Sequence, residues 1–172
     1  VHLVLVNVLL GSVILSAVDR LASASDSKGG MAFMPKVLAL AVNFGVAPFL
    51  FLQVLYGHFL YPGILLMAVW WMFVVVFAMM AYYGLYVSGE AVGPMRRKLP
   101  LILSALLLLL TAFLLSNART LMLRPDFWFR WFSEPHGRLL NTGDPTLFPR
   151  YLHILLASLA VGGLTMARRA PR

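Results

Sequence analysis

The sequence predicts an all-α membrane protein, five transmembrane helices in one bundle, with the N-terminus outside and the C-terminus in the cytoplasm. Three observations carry this prediction. Of 172 residues, 61% are hydrophobic and only 12% charged, with a mean hydropathy of +0.87, against about 45–50% apolar and about 25% charged residues in a soluble domain. The apolar residues fall in charge-bounded runs, several of them near the ~20 residues that cross a hydrocarbon core about 30 Å thick. Stretches such as Leu106 to Leu110 lack the alternation of a barrel strand, and in lipid only helices or closed barrels satisfy their own backbone hydrogen bonds. A water-soluble enzyme is excluded, as is any large extramembrane domain.

The first span is expected over 3–18; it opens at Val1 and has no basic leader, so it does not read as a signal peptide. Ser23 to Gly30 is a Ser/Gly-rich loop. The second span, 37–60, contains Gly45 and Pro48, and proline inside a helix predicts a kink there. The third, 64–87, carries Trp70 and Trp71, either an interface anchor or a stacking wall for a quinone. It also carries Met67, Met72, Met79 and Met80, better read as core filler than as axial ligands. The fourth span covers 99–116 and the fifth 151–167. Between them runs the longest loop, 117–150, where Phe127, Trp128, Phe129, Trp131 and Phe132 interleave with Arg124 and Arg130. Such a segment suits the headgroup layer, as an aromatic belt or as a lid for a partner or a quinone headgroup.

Orientation follows from positive charge in the short loops. One side collects Arg20 to Lys36, Arg96 to Lys98 and Arg168 to Arg172, nine bases against Asp19, Asp26 and Glu90; this side is expected in the cytoplasm. The formal charge of +8 then reports topology and not a nucleic-acid partner. Cysteine is absent, which removes disulfides, iron–sulfur clusters and thiolate haem ligation. The spans are nearly free of acids and bases, which argues against a proton-coupled transporter.

Histidine is what remains for chemistry. With this orientation His2, His58 and His153 are expected at one level near the outer surface, and His136 in the outer loop. Imidazole is the usual axial ligand of b-type haem, and helix bundles hold such a cofactor between facing helices. Arg150, with Arg119 or Arg138, is placed to pair with haem propionates. The bland alternative is a set of interfacial histidines and headgroup-binding arginines. For proton release on quinol oxidation, His58, His136 and Glu134 are the outer-side groups available.

The arrangement resembles the N-terminal half of subunit I of the cytochrome bd quinol oxidases. The resemblance is strongest from Asp144-Pro145 to Gly163, where Asp144, Arg150, Tyr151, His153 and Gly162 occupy the family's spacing around a haem-ligating histidine, with Asp for Asn. Asn43-Phe44 leading to Gln53 and Gly57, Asn117 ahead of Pro125, and His2 match further family positions. The resemblance implies that His153 ligates a low-spin haem b and that His2 ligates a second haem or shares the first. Departures are as telling: Gln53 stands where the family has a glutamate, Arg119-Thr120-Leu121-Met122 replaces a Trp-Met-Gln run, and the sequence stops after the fifth span. Oxygen reduction by this chain alone is therefore not expected, and His58 or His2 is the expected substitute for the family's methionine ligand. The resulting expectation is a cytochrome b-type subunit of the prokaryotic inner membrane holding one or two haems b. It would pass electrons between the quinone pool and a periplasmic partner such as a c-type cytochrome, inside a larger membrane redox complex. Its rival is a haem-free membrane anchor or assembly subunit.

Overall fold

The computed structural model describes residues 1–22, 33–90 and 94–169; the Ser23 to Gly30 loop lies outside them. Among the described residues the fold is wholly helical: α1 (His2–Ala22), α2 (Met34–Leu66), α3 (Ala68–Glu90), α4 (Pro94–Met122), a four-residue α5 (Pro125–Trp128) running into a 3-10 turn (Phe129–Phe132), and α6 (Leu147–Arg169). Five of these helices are long and apolar enough to cross a membrane.

Four of the five long helices overrun at both ends the apolar runs that predicted them, while α3 starts four residues later than expected and ends three later. Helical hydrogen bonding does not stop where hydrocarbon does, and the flanking bases are long enough to reach polar surroundings from a terminal turn. Thus Arg20 lies within α1, and Asn117 to Met122 complete α4. Pro35, Pro125 and Pro149 sit in first turns, where the missing N–H has no intrahelical acceptor. The expected boundary at Pro62-Gly63 is also displaced: α2 continues through both to Leu66, and Met67 makes the break before α3. Pro48 is not the kink. The non-helical residue is Tyr56 (φ −127°, ψ 24°), next to Gly57, where a Cβ would meet the Tyr61 ring at 3.0 Å.

Two seams hold the bundle. Antiparallel α3 and α4 close on each other through Ser104, whose hydroxyl donates to the carbonyl of Ala81 (3.1 Å) or of Pro100 (2.7 Å), and through Ser88, which donates to the Arg97 carbonyl (3.0 Å). Parallel α1 and α6 meet at Gly11, Ser158 and Gly162, with the Ser158 hydroxyl donating to Asn7 Oδ1 at 2.8 Å. Close backbone approach at small residues is how membrane helices gain contact when lipid leaves no hydrophobic drive between them. A core of Leu9, Leu10, Val13, Met34, Leu85, Leu101 and neighbouring side chains fills the space among α1 to α4.

One end of the bundle is capped by residues 123–146. This segment, expected in the headgroup layer, folds onto the helices. The Leu66 carbonyl accepts from the Leu139 N–H (2.9 Å), the Gly137 carbonyl from the Val69 N–H (3.0 Å), and the Arg138 carbonyl from Trp70 Nε1 (2.8 Å). Trp128 Nε1 donates to the Leu121 carbonyl (2.9 Å), and Arg130 lies 4.1 Å over the Phe127 ring. Aromatics read as membrane anchors thus spend their polar atoms on the protein's own backbone, while Phe129 and Phe132 stay 74% and 84% exposed.

Gly137 turns the segment at φ +63°, and a Cβ there would lie 3.0 Å from that of Ala68. Left-handed backbone costs a residue with a side chain about 1–2 kcal/mol, so Gly137→Ala is expected to lower stability by at least that much in a detergent melt. An unchanged melting temperature would contradict this placement.

Candidate functional site

The polar chemistry of the capped end is built on α4 and the return into α6. Asn117 and Thr120, three apart and so on one face of α4, are buried, as are Asn141 and Asp144 from the segment above. Asn117 Oδ1 accepts the Asn141 N–H (3.1 Å), and Asn141 Nδ2 donates to Thr120 Oγ1 and to Asp144 Oδ2 (both 3.3 Å). Asp144 Oδ1 takes the N–H and hydroxyl of Thr146 (2.7 and 2.6 Å), while Oδ2 also receives Arg124 Nη1 (3.3 Å). Hydrogen bonds from Thr146, and then the Arg124 guanidinium, hold the Asp144 carboxyl below the usual carboxylate range against its burial. Arg124 is shared with the exposed Asp126 (2.7 Å). Asp144 anchors the turn that leads into α6: its carboxylate takes both donors of Thr146, the residue before the helix, and its backbone carbonyl accepts the Leu147 N–H (3.2 Å).

Beside this network a polar cleft of about 220 Å³ is lined by Thr120, Arg124, Asp144, Thr146 and Arg150. Arg124 is balanced by its two aspartates, whereas Arg150 forms no ion pair among the described residues. Arg119 is exposed in the last turns of α4 and does not line the cleft. A second cavity, about 400 Å³, opens between the end of α2 and the aromatic segment, against Tyr61, Leu65, Ala68, Trp128, Trp131 and Phe132. Its wall is apolar. Glu134 and His136 are both exposed in the segment.

The three histidines expected at one level are not brought together. His2 Nδ1 is 2.8 Å from the Ala41 carbonyl oxygen, an atom that only accepts, so Nδ1 is the donor. Gly45 makes the room: a Cβ there would stand 2.8 Å from the His2 ring. Ala41 precedes His58 by 17 residues on α2, about 25 Å at 1.5 Å per residue. The shared level fails because α2 is far longer than a span and meets the start of α1 near its own beginning. His58 is exposed and stacks beside Phe59 (4.2 Å between ring centres).

His153 does stand level with His2. Asn7 meets Ser158 and Gly11 meets Gly162, and the same register carries His2 to the height of His153. Each histidine lies five residues before its partner at the seam, a rotation of about 140°. In parallel helices that rotation sends the two rings to opposite flanks: His2 goes to α2, and His153 to the open side of α6, where it is exposed with Leu152 and Leu156. The fold thus sets His2 apart from His58 along α2 and on the opposite flank of the α1–α6 pair from His153. Among the described residues no group of three or more His, Asp or Glu side chains gathers to hold a metal ion.

No protein-family model, curated protein or solved structure matches the chain. Sequence reading missed the Asn117–Thr120–Asn141–Asp144 network, although the i, i+3 spacing of both pairs was a signal for it. Of the methionines, Met67 is fully buried filler, while Met72 and Met79 are 71% and 67% exposed on α3. Trp70 is held by the Arg138 carbonyl, and Trp71 stacks on Phe49 at 5.8 Å.

Proposed function

We propose that the chain is the haem-bearing membrane subunit of a redox complex in a prokaryotic inner membrane, with the capped end facing the periplasm. It passes electrons between the quinone pool and a periplasmic partner. The observation that supports this is His2, whose Nδ1–H is held by the Ala41 carbonyl. A carbonyl-held imidazole has its tautomer and ring direction set and its other nitrogen made more basic, the arrangement of a metal-ligating histidine. Its Nε2 makes no hydrogen bond among the described residues.

The group that fits is a b-type haem, which supplies one-electron chemistry when bound. His2 holds it through Nε2, and Gly45 keeps the ring's place against α2 open. Arg150, which lines the cleft at the capped end and forms no ion pair among the described residues, is a cation available there for a carboxylate. His153 is exposed on the flank of α6 away from His2, and its counterpart in this reading comes from another subunit of the complex.

The test is the reduced-minus-oxidised spectrum, with haem per protein by pyridine haemochrome, of the complex isolated through this chain. The expected result is a b-type α band that falls in His2→Ala and in His153→Ala and survives in His58→Ala. A folded complex without haem, or one whose haem content is the same in all three variants, overturns the reading. That outcome leaves the haem-free anchor, which the divergence of the three histidines favours.

A further inference from the structure

α2 is the least enclosed span. Only 11% of its most apolar window is buried, against 39% for α1 and for α4. Exposed residues surround most of α2 from Val42 to Tyr56; along one line of them Asn43, Ala47, Leu50 and Val54 stand at the alternating four- and three-residue steps of a helix–helix seam. Asn43 stands two residues beyond the carbonyl that holds His2 and seven beyond Lys36, about 10 Å along the helix from that base. That places it within the apolar part of the span. Its carboxamide forms no hydrogen bond with any described residue. Lipid tails offer no hydrogen-bond partner, so polar side chains in spans are turned to protein.

From this we infer that the α2 face carrying Asn43 is the contact between two copies of this chain, closed by a pair of Asn43 side chains. Copies inserted in one orientation are related by a twofold axis normal to the membrane, which sets like residues at like depth. A carboxamide both donates and accepts, so Asn43 is its own complement at that depth, as no lone donor or acceptor would be. Ala47, one turn away, lets the two backbones approach, and a single asparagine in an apolar seam fixes register and oligomeric state.

The chain has no cysteine, so single cysteines report contacts directly. Ala47→Cys and Val54→Cys, oxidised in native membranes, are expected to give a disulfide-linked species of two copies of this chain. Leu103→Cys on α4 and Leu156→Cys on α6, also exposed, are not. Asn43→Leu is expected to weaken self-association about threefold to about twentyfold, the range for interhelical hydrogen bonds in membranes, and Asn43→Gln to restore most of it. Because Asn43 makes no hydrogen bond with any described residue, an unchanged melting temperature in both variants shows that the fold is intact. Three results overturn the inference: no link at 47 and 54, a link there to a different polypeptide, or unchanged self-association in Asn43→Leu.

Discussion

Leucine at Gly11 or at Gly162 is expected to abolish the folded chain. A Cβ on Gly11 would lie 1.8 Å from the Ser158 carbonyl oxygen, and one on Gly162 would lie 2.4 Å from the Gly11 carbonyl carbon. Both obstacles are backbone, so no rotamer change relieves them, and α1 and α6 must part. Parting them removes the Asn7–Ser158 bond and exposes the small-residue seam, where Ser12 and Ser158 are fully buried. Ordinary overpacking costs about 1–3 kcal/mol; even alanine at either glycine is expected at or above the top of that range. Ser158→Ala is the contrast. It removes one interhelical hydrogen bond and adds no volume, a loss of about 0.6 and at most about 1.7 kcal/mol. Detergent melting curves and size-exclusion profiles of the five variants check the ranking. Gly11→Ala or Gly162→Ala melting with the wild type would refute the seam.

Removing the Asp144 carboxylate is the second large perturbation. Asp144→Ala deletes an acceptor of four hydrogen bonds and leaves the buried Asn141 amide without one of its two partners. An unsatisfied buried donor costs about 1–3 kcal/mol, and a loss of about that size is expected. Asp144→Asn keeps the shape and loses the charge that draws Arg124. The carboxyl is held below its ordinary value, first by Thr146 and then by Arg124. Its contribution is therefore complete above the unfolded carboxyl value, near 3.9, and fades as pH falls below that toward the folded value. Asp126, exposed and lowered by the same arginine, acts in the same direction with less effect because solvent screens it. Melting from pH 6 down to pH 3 is expected to show a steeper fall for the wild type than for Asp144→Asn. Parallel curves would show that the Asp144 charge does not hold the cap.

What was legible in the sequence was whatever one helix decides alone. Five apolar runs predicted the five helices long and apolar enough to cross a membrane. What two elements decide together was not legible. The level of His2 depends on where α1 lands along a helix of 33 residues, and no apolar run records that offset. Pro48 is a local signal, yet α2 bends at Tyr56, where Gly57 and the Tyr61 ring adjust to one another. The aromatic run after α4 carries the composition of a membrane belt; its fold depends on backbone acceptors at Leu121 and Arg138 that composition does not encode.

The three hydrogen bonds that tie residues 137–139 to Leu66, Val69 and Trp70 also set an order of assembly. The α2–α3 junction is made early in synthesis, but its orphan carbonyl and N–H find their partners only when a segment some 70 residues downstream has emerged and crossed to the same side. Until then the hairpin rests on its helices alone. Ribosome-bound chains arrested before Gly137 should accordingly be cut by protease at the Met67 turn, and chains arrested well beyond Leu139 should be protected.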